Sequence, residues 1–140
     1  MDPCRRLTSQ AVAFRVTRSR VRTPSLKVVL RPRGGPRAAA QWFFVDTGCD
    51  VPFFLARPMR DWLRSEGAVS GSERLEWGSP VLCETYALEA RVGGRWLPFT
   101  AYYATTPTAD ENLVGWSVLE HVPICLRPDV GVLLESRAGR

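Results

Sequence analysis

Gln41-Trp42-Phe43-Phe44-Val45-Asp46-Thr47-Gly48-Cys49-Asp50 is the stretch on which the reading of this chain turns. Its first half is a continuous apolar and aromatic run, the pattern of a strand buried on both faces, and it stops abruptly at a carboxylate. An unpaired charge is expensive to take out of water, so a carboxylate delivered at the end of a core strand needs a reason. A tight turn is one, because Asp and Gly are favoured there. A reactive carboxyl group is the other. The tripeptide alone does not choose between them, since Asp-Thr-Gly arises by chance in roughly one or two per cent of chains of this length at about 5% usage per residue.

On the N-terminal side, Val12, Phe14 and Val16 alternate with Arg15 and Thr17, and Leu26, Val28 and Leu30 repeat the period of two expected of half-buried strands. Thr23-Pro24-Ser25 reads as the turn between them, and Pro32-Arg33-Gly34-Gly35-Pro36 as the loop before the central run. On the C-terminal side, Val51-Pro52-Phe53-Phe54-Leu55 returns to apolar residues. Met59, Trp62 and Leu63 then fall at helical spacing between Arg57 and Glu66, ahead of Gly67.

The composition turns polar around Trp77-Gly78-Ser79-Pro80 with Leu75 and Val81 on either side, which predicts a hairpin with its tip near Gly78. Tyr86 to Val92, Gly93-Gly94 and Trp96 to Tyr103 spell a second hairpin, Gly-Gly supplying the positive φ of a tight turn. Beyond a loop from Thr105 to Glu111, Asn112-Leu113-Val114-Gly115 is apolar again, and Ser117 is placed to cap a short helix holding Val118 and Leu119. Ile124-Cys125-Leu126 and Val132-Leu133-Leu134 predict a last pair of strands. The fold class that follows is mainly β with one or two short helices.

With these neighbours, Phe43-Phe44-Val45-Asp46-Thr47-Gly48-Cys49-Asp50 resembles the active-site motif of retropepsin-like aspartic proteases: apolar residues, Asp-Thr-Gly, a small residue, then a polar one. Leu113-Val114-Gly115-Trp116-Ser117-Val118-Leu119 is similar to that family's second motif, two apolar residues and a Gly leading into a short helix beside the catalytic loop. The hairpin near Gly78 lies where the family has its flap. The resemblance spans about Leu26 to Glu135 and implies a closed β-barrel of the acid-protease type, working as a C2 homodimer because only one Asp-Thr-Gly is present.

The division expected is a basic N-terminal segment with a first strand over residues 1–24, read from charge and periodicity, then the protease domain that the resemblance implies over 25–136 and a tail over 137–140. Two carboxylates in contact cannot both ionise, so a pair of Asp46 side chains would share a proton; the general case is the standard illustration of like-charge repulsion. The ionised one would activate water and the protonated one would hydrogen-bond the peptide carbonyl.

Under the same resemblance Thr47 would join the two loops across the twofold axis, and Gly48 would permit close backbone approach. Asp50, Trp77, Gly78 and Ser79 would contact substrate, and Leu113, Val114 and Gly115 would support the site. The sequence departs from the family at Trp116, where an Arg commonly follows the Gly and pairs with the acid placed as Asp50 is. Trp77 reads equally as a substrate contact or as an anchor of the hairpin, Cys49 as a small buried side chain filling its position, and His121 as a helix-end residue.

Composition sets the remaining limits. The chain has 140 residues, enough for one modest core, with 45% hydrophobic and 24% charged residues and no apolar run of the roughly 20 residues a membrane span requires. No secretory signal pattern opens it, so a cytoplasmic location is expected, with Cys4, Cys49, Cys83 and Cys125 as reduced thiols and no metal or other cofactor. The net charge of +5 comes from the arginine-rich stretch before Ala38, which reads as a solvated strand face rather than a nucleic-acid surface because few aromatic residues interleave with it. The expected partners are a peptide or protein substrate and a second copy of the chain. The alternative is a catalytically inactive module of the same fold that binds or dimerises. A third, a nucleic-acid binder, would show steeply salt-dependent affinity.

Overall fold

The structure, a computed structural model, describes residues 12–16, 22–105, 111–121, 124–127 and 131–134. In chain order the strands are β1 (Val12–Val16), β2 (Arg22–Pro32), β3 (Ala39–Val45), β4 (Phe53–Phe54), β5 (Ser70–Trp77), β6 (Ser79–Val92), β7 (Arg95–Ala104), β8 (Leu113–Val114), β9 (Ile124–Arg127) and β10 (Gly131–Leu134). Helix α1 (Arg57–Ser65) follows β4 and helix α2 (Trp116–Leu119) follows β8. Strands β1 to β8 form one sheet in the order β1-β2-β3-β8-β4-β7-β6-β5. An added β2–β6 pairing closes β2, β3, β8, β4, β7 and β6 into a ring. Strands β9 and β10 make a separate antiparallel pair.

The ring encloses the core because each long strand alternates as its sequence predicts. Leu26, Val28 and Leu30 on β2 point inward with exposures of 1% or less, as do Leu88 and Ala90 on β6 and Ala101 on β7. Phe53 stands at the centre, edge-on to Phe43 at 5.1 Å and to Phe99 at 5.7 Å between ring centroids. Each such side chain contributes roughly 1.5–3 kcal/mol by leaving water, so the ring is held mainly by its filling. Helix α1 presents Met59 and Leu63 to the same core, with Trp62 partly buried against it.

Both predicted hairpins are present. Val92 pairs with Arg95 across Gly93 (φ 59°) and Gly94 (φ 81°), two positive φ values in succession, which is the turn that matches strand twist. Trp77 pairs with Ser79 around Gly78 (φ 76°).

Two local expectations are corrected. Thr23-Pro24-Ser25 is not a turn but the interior of β2. Pro24 is tolerated because it pairs only with Phe14 of β1, the ladder to β3 beginning one residue later at Ser25 and Phe44, so its missing N–H interrupts nothing on that side. Ser117 is not a cap: Gly115 holds the N-cap position and Ser117 lies inside α2, its Oγ buried without a hydrogen-bond partner. Residues 17–21 lie outside the described residues, as does most of the loop expected from Thr105 to Glu111.

Candidate active site

Strand β3 ends at Val45, and the chain from Asp46 to Pro52 loops round to β4. The short strand β8 fills the space between them, parallel to β3 (Phe44 beside Leu113, Val45 beside Val114) and antiparallel to β4 (Phe53 beside Val114). Hydrogen bonds continue that insertion past the strand ends. Phe44 N–H donates to Asn112 O at 2.8 Å, Asp46 N–H to Val114 O at 3.0 Å, and Gly115 N–H to Pro52 O at 2.9 Å. The Asp46 loop therefore wraps around Gly115.

That wrapping explains the second motif's glycine. A Cβ at Gly115 would stand 2.1 Å from Val51 O and 2.6 Å from Cys49 O, backbone atoms that cannot move aside cheaply. Its φ of −97° is ordinary, so space and not conformation demands glycine. Gly48 differs: a Cβ there would meet only Asp46 Oδ1, at an ordinary 3.5 Å. Among the described residues nothing else comes within 4 Å of that position, so the close approach expected of Gly48 is not made by them.

The Asp46 carboxylate is half-buried at the loop rim. Oδ1 accepts the Gly48 N–H at 3.1 Å and the Asp46 carbonyl accepts the Cys49 N–H at 3.1 Å, which fixes the side chain by its own turn. Thr47, Gly48 and Asp50 are exposed beside it. Cys49 is half-buried, with Sγ 3.5 Å from Val51 O. Burial pushes its thiol pKa up, and the charges of Asp46 and Asp50 push in the same direction.

On the sheet face turned away from the main core, a second apolar cluster extends from this loop to the β5–β6 hairpin. It holds Val51, Phe54, Cys83 and Ala104, with Cys49, Leu75, Val81, Tyr102 and Leu113 packed against it. Residues of the Asp46 loop, of the second motif and of the hairpin thus meet in this cluster through Cys49 and Val51, Leu113, and Leu75 and Val81, while Val114 lies in the main core and Gly115 under the loop. Gly78 and Ser79 are exposed at the hairpin tip, and the backbone of Trp77 lies beside them. Trp116 is 54% exposed at the start of α2, so the position where the resemblance implies a guanidinium beside Asp50 carries an indole at the surface.

Cys83 is a free, buried thiol, while Cys4 and the Cys125 side chain lie outside the described residues. His121 is exposed, packs edge-on to Phe99 at 6.1 Å and donates its backbone N–H to Val118 O at the end of α2. Among the described residues no group of three or more His, Cys, Asp or Glu is placed to hold a metal ion. No helix among them is long and apolar enough to cross a membrane.

Sequence reasoning missed the polar residues at the hairpin base, Arg60, Glu73, Glu84 and Tyr102. Glu84 and Tyr86, two apart on one strand, were recognisable as neighbours on a face. Arg60 was not, since only the packing of α1 on β6 brings it there. No family model matches the chain, and neither a curated protein nor a solved structure does.

Proposed function

We propose that the chain is a retropepsin-like aspartic endopeptidase that works as a C2 homodimer, with Asp46 of each protomer forming the catalytic pair. The observation that carries this reading is the crossing of the Asp46 loop over Gly115. It joins two motifs nearly seventy residues apart, as a family resemblance built on both requires. An isolated turn would need neither β8 between β3 and β4 nor a glycine under Val51.

In this reading Gly48 N–H holds one oxygen of Asp46 and leaves the other free to face its twofold mate. The two carboxyl groups share one proton. The ionised carboxylate takes a proton from a bound water as that water adds to the peptide carbonyl, and the protonated one donates to the carbonyl oxygen. Return of a proton to the departing amine breaks the C–N bond. The exposure of Thr47 and Gly48 suits a loop whose remaining contacts lie in a partner.

A second reading, a module that keeps this fold without peptidase activity, draws support from Trp116, which leaves Asp50 without the neighbouring guanidinium that the resemblance implies. A peptide-library digest from acidic to neutral pH separates the two. The protease predicts cleavage by the wild type and none by Asp46→Asn, whereas identical traces from both proteins decide for the inactive module.

A further inference from the structure

The β5–β6 hairpin outruns the sheet that carries it. The last rung shared with β7 is Cys83 opposite Ala104, with Glu73 opposite Cys83 on the other side; beyond it, among the described residues, 74–82 pair only with one another. At that boundary two polar contacts grip the hairpin from opposite faces. Adjacent strand residues point to opposite faces, so Glu73 and Tyr102 share one and Glu84, Tyr86 and Tyr103 share the other.

On the first face, Tyr102 Oη donates to Glu73 Oε2 at 2.7 Å, reaching from β7 over β6 to β5. On the second, Glu84 accepts Arg60 Nη1 at 3.0 Å on each of its oxygens, and Tyr86 Oη donates to Glu84 Oε2 at 2.5 Å. Arg60 comes from α1, with its guanidinium 4.2 Å from the centre of the Tyr103 ring and its side chain only 13% exposed. The first contact ties the outer strand of the hairpin to the ring, and the second ties its inner strand to the helix.

We infer that these contacts form a two-sided clamp that makes the Glu73–Cys83–Ala104 rung the hinge of the hairpin, with Tyr102, Glu73, Arg60 and Glu84 as positioning residues for the segment 74–82. Opening then bends the hairpin at one place instead of peeling β5 and β6 from the ring. Because the apolar cluster that takes in Cys49 and Val51 of the Asp46 loop also includes Leu75 and Val81 of the hairpin, the hinge sets how the hairpin lies against that loop when a chain is bound. This consequence for substrate rests on the proposed peptidase reading, whereas the hinge itself does not.

Amide hydrogen exchange on the full chain tests it, with Tyr102→Phe, which removes one oxygen, and Glu84→Gln, which keeps shape and removes charge. The wild type should show a step in protection at the hinge, fast exchange over 74–82 and slow exchange in the flanking parts of β5 and β6. In each variant exchange at 70–73 and 83–86 should rise about two- to tenfold, the range that a net hydrogen-bond contribution gives, while β2 and β3 stay unchanged. Unchanged exchange in both variants, or a uniform rise across the whole chain, overturns the clamp. With a peptide substrate the same variants should raise KM while kcat stays within about twofold. If the exchange step moves as expected while even the wild type cleaves no peptide, the hinge stands and the peptidase reading fails.

Discussion

At Gly115 a single methyl group would collide with two backbone carbonyls, whereas at Gly48 it would touch one carboxylate oxygen at ordinary distance. The two glycines of the two motifs therefore answer different demands. Gly115→Ala should lower stability by about 3 kcal/mol or more, at or beyond the upper end of overpacking costs because the obstructing atoms are backbone. Gly48→Ala should leave the stability of a single chain within about 1 kcal/mol. It should still abolish activity if a second loop packs against it. Denaturant midpoints compared with peptidase rates read both.

Cys49 invites a different test. Burial and two neighbouring carboxylates hold its thiol protonated near neutral pH, so alkylation should be slow in the folded protein and rise sharply on unfolding. Rapid labelling of Cys49 in the native chain would contradict its placement.

The tyrosines at the hairpin base carry a pH signature. Burial first, and then a hydrogen bond to Glu84 or Glu73, pushes Tyr86 and Tyr102 up to about 12. An unfolded tyrosine loses its proton near about 10. A folded pKa above the unfolded one means that the native state holds the proton more firmly. The stability these phenols contribute is therefore fully present below about pH 10 and lost as pH rises through about 12. An ultraviolet titration of the folded protein should show Tyr86 and Tyr102 ionising late, and Tyr102→Phe should remove one late-titrating phenol.

At the scale of elements, most of the fold was legible because hydrophobic periodicity is local. The alternation in β2, the helical spacing of Met59 and Leu63, and Gly93-Gly94 each announced an element that formed where expected. The errors arose where a local signal was overridden by a neighbour in space. Pro24 looked like turn chemistry, yet it lies in a strand because only β1 needs that rung. Ser117 looked like a cap, yet Gly115 holds the position since the loop above it admits nothing larger.

The pairing of Asp46-Thr47-Gly48 with Leu113-Val114-Gly115 could be suspected only from a resemblance. No periodicity reports that a two-residue strand will slot between two others. The hairpin-base contacts were less legible still, because Arg60 and Glu84 meet through a helix-on-sheet contact that is absent from either segment alone.

At the scale of the whole molecule, the proposed function leaves each chain with half of a catalytic site. The ring of strands encloses a buried core within one chain, while Thr47 and Gly48 of the Asp46 loop are exposed. Folding and catalysis should thus separate: a dilute chain remains folded and becomes inactive as mass action dissolves the dimer. The most direct measurement is peptide hydrolysis by a fixed amount of wild-type chain mixed with increasing Asp46→Asn chain, at a total concentration that keeps both dimeric. A site shared between protomers predicts that activity per wild-type chain falls in proportion to the wild-type fraction, because each mixed dimer carries only one ionisable aspartate. Activity per wild-type chain that stays constant across the series, with mixed dimers shown to form, would mean that each protomer works alone and would contradict the account.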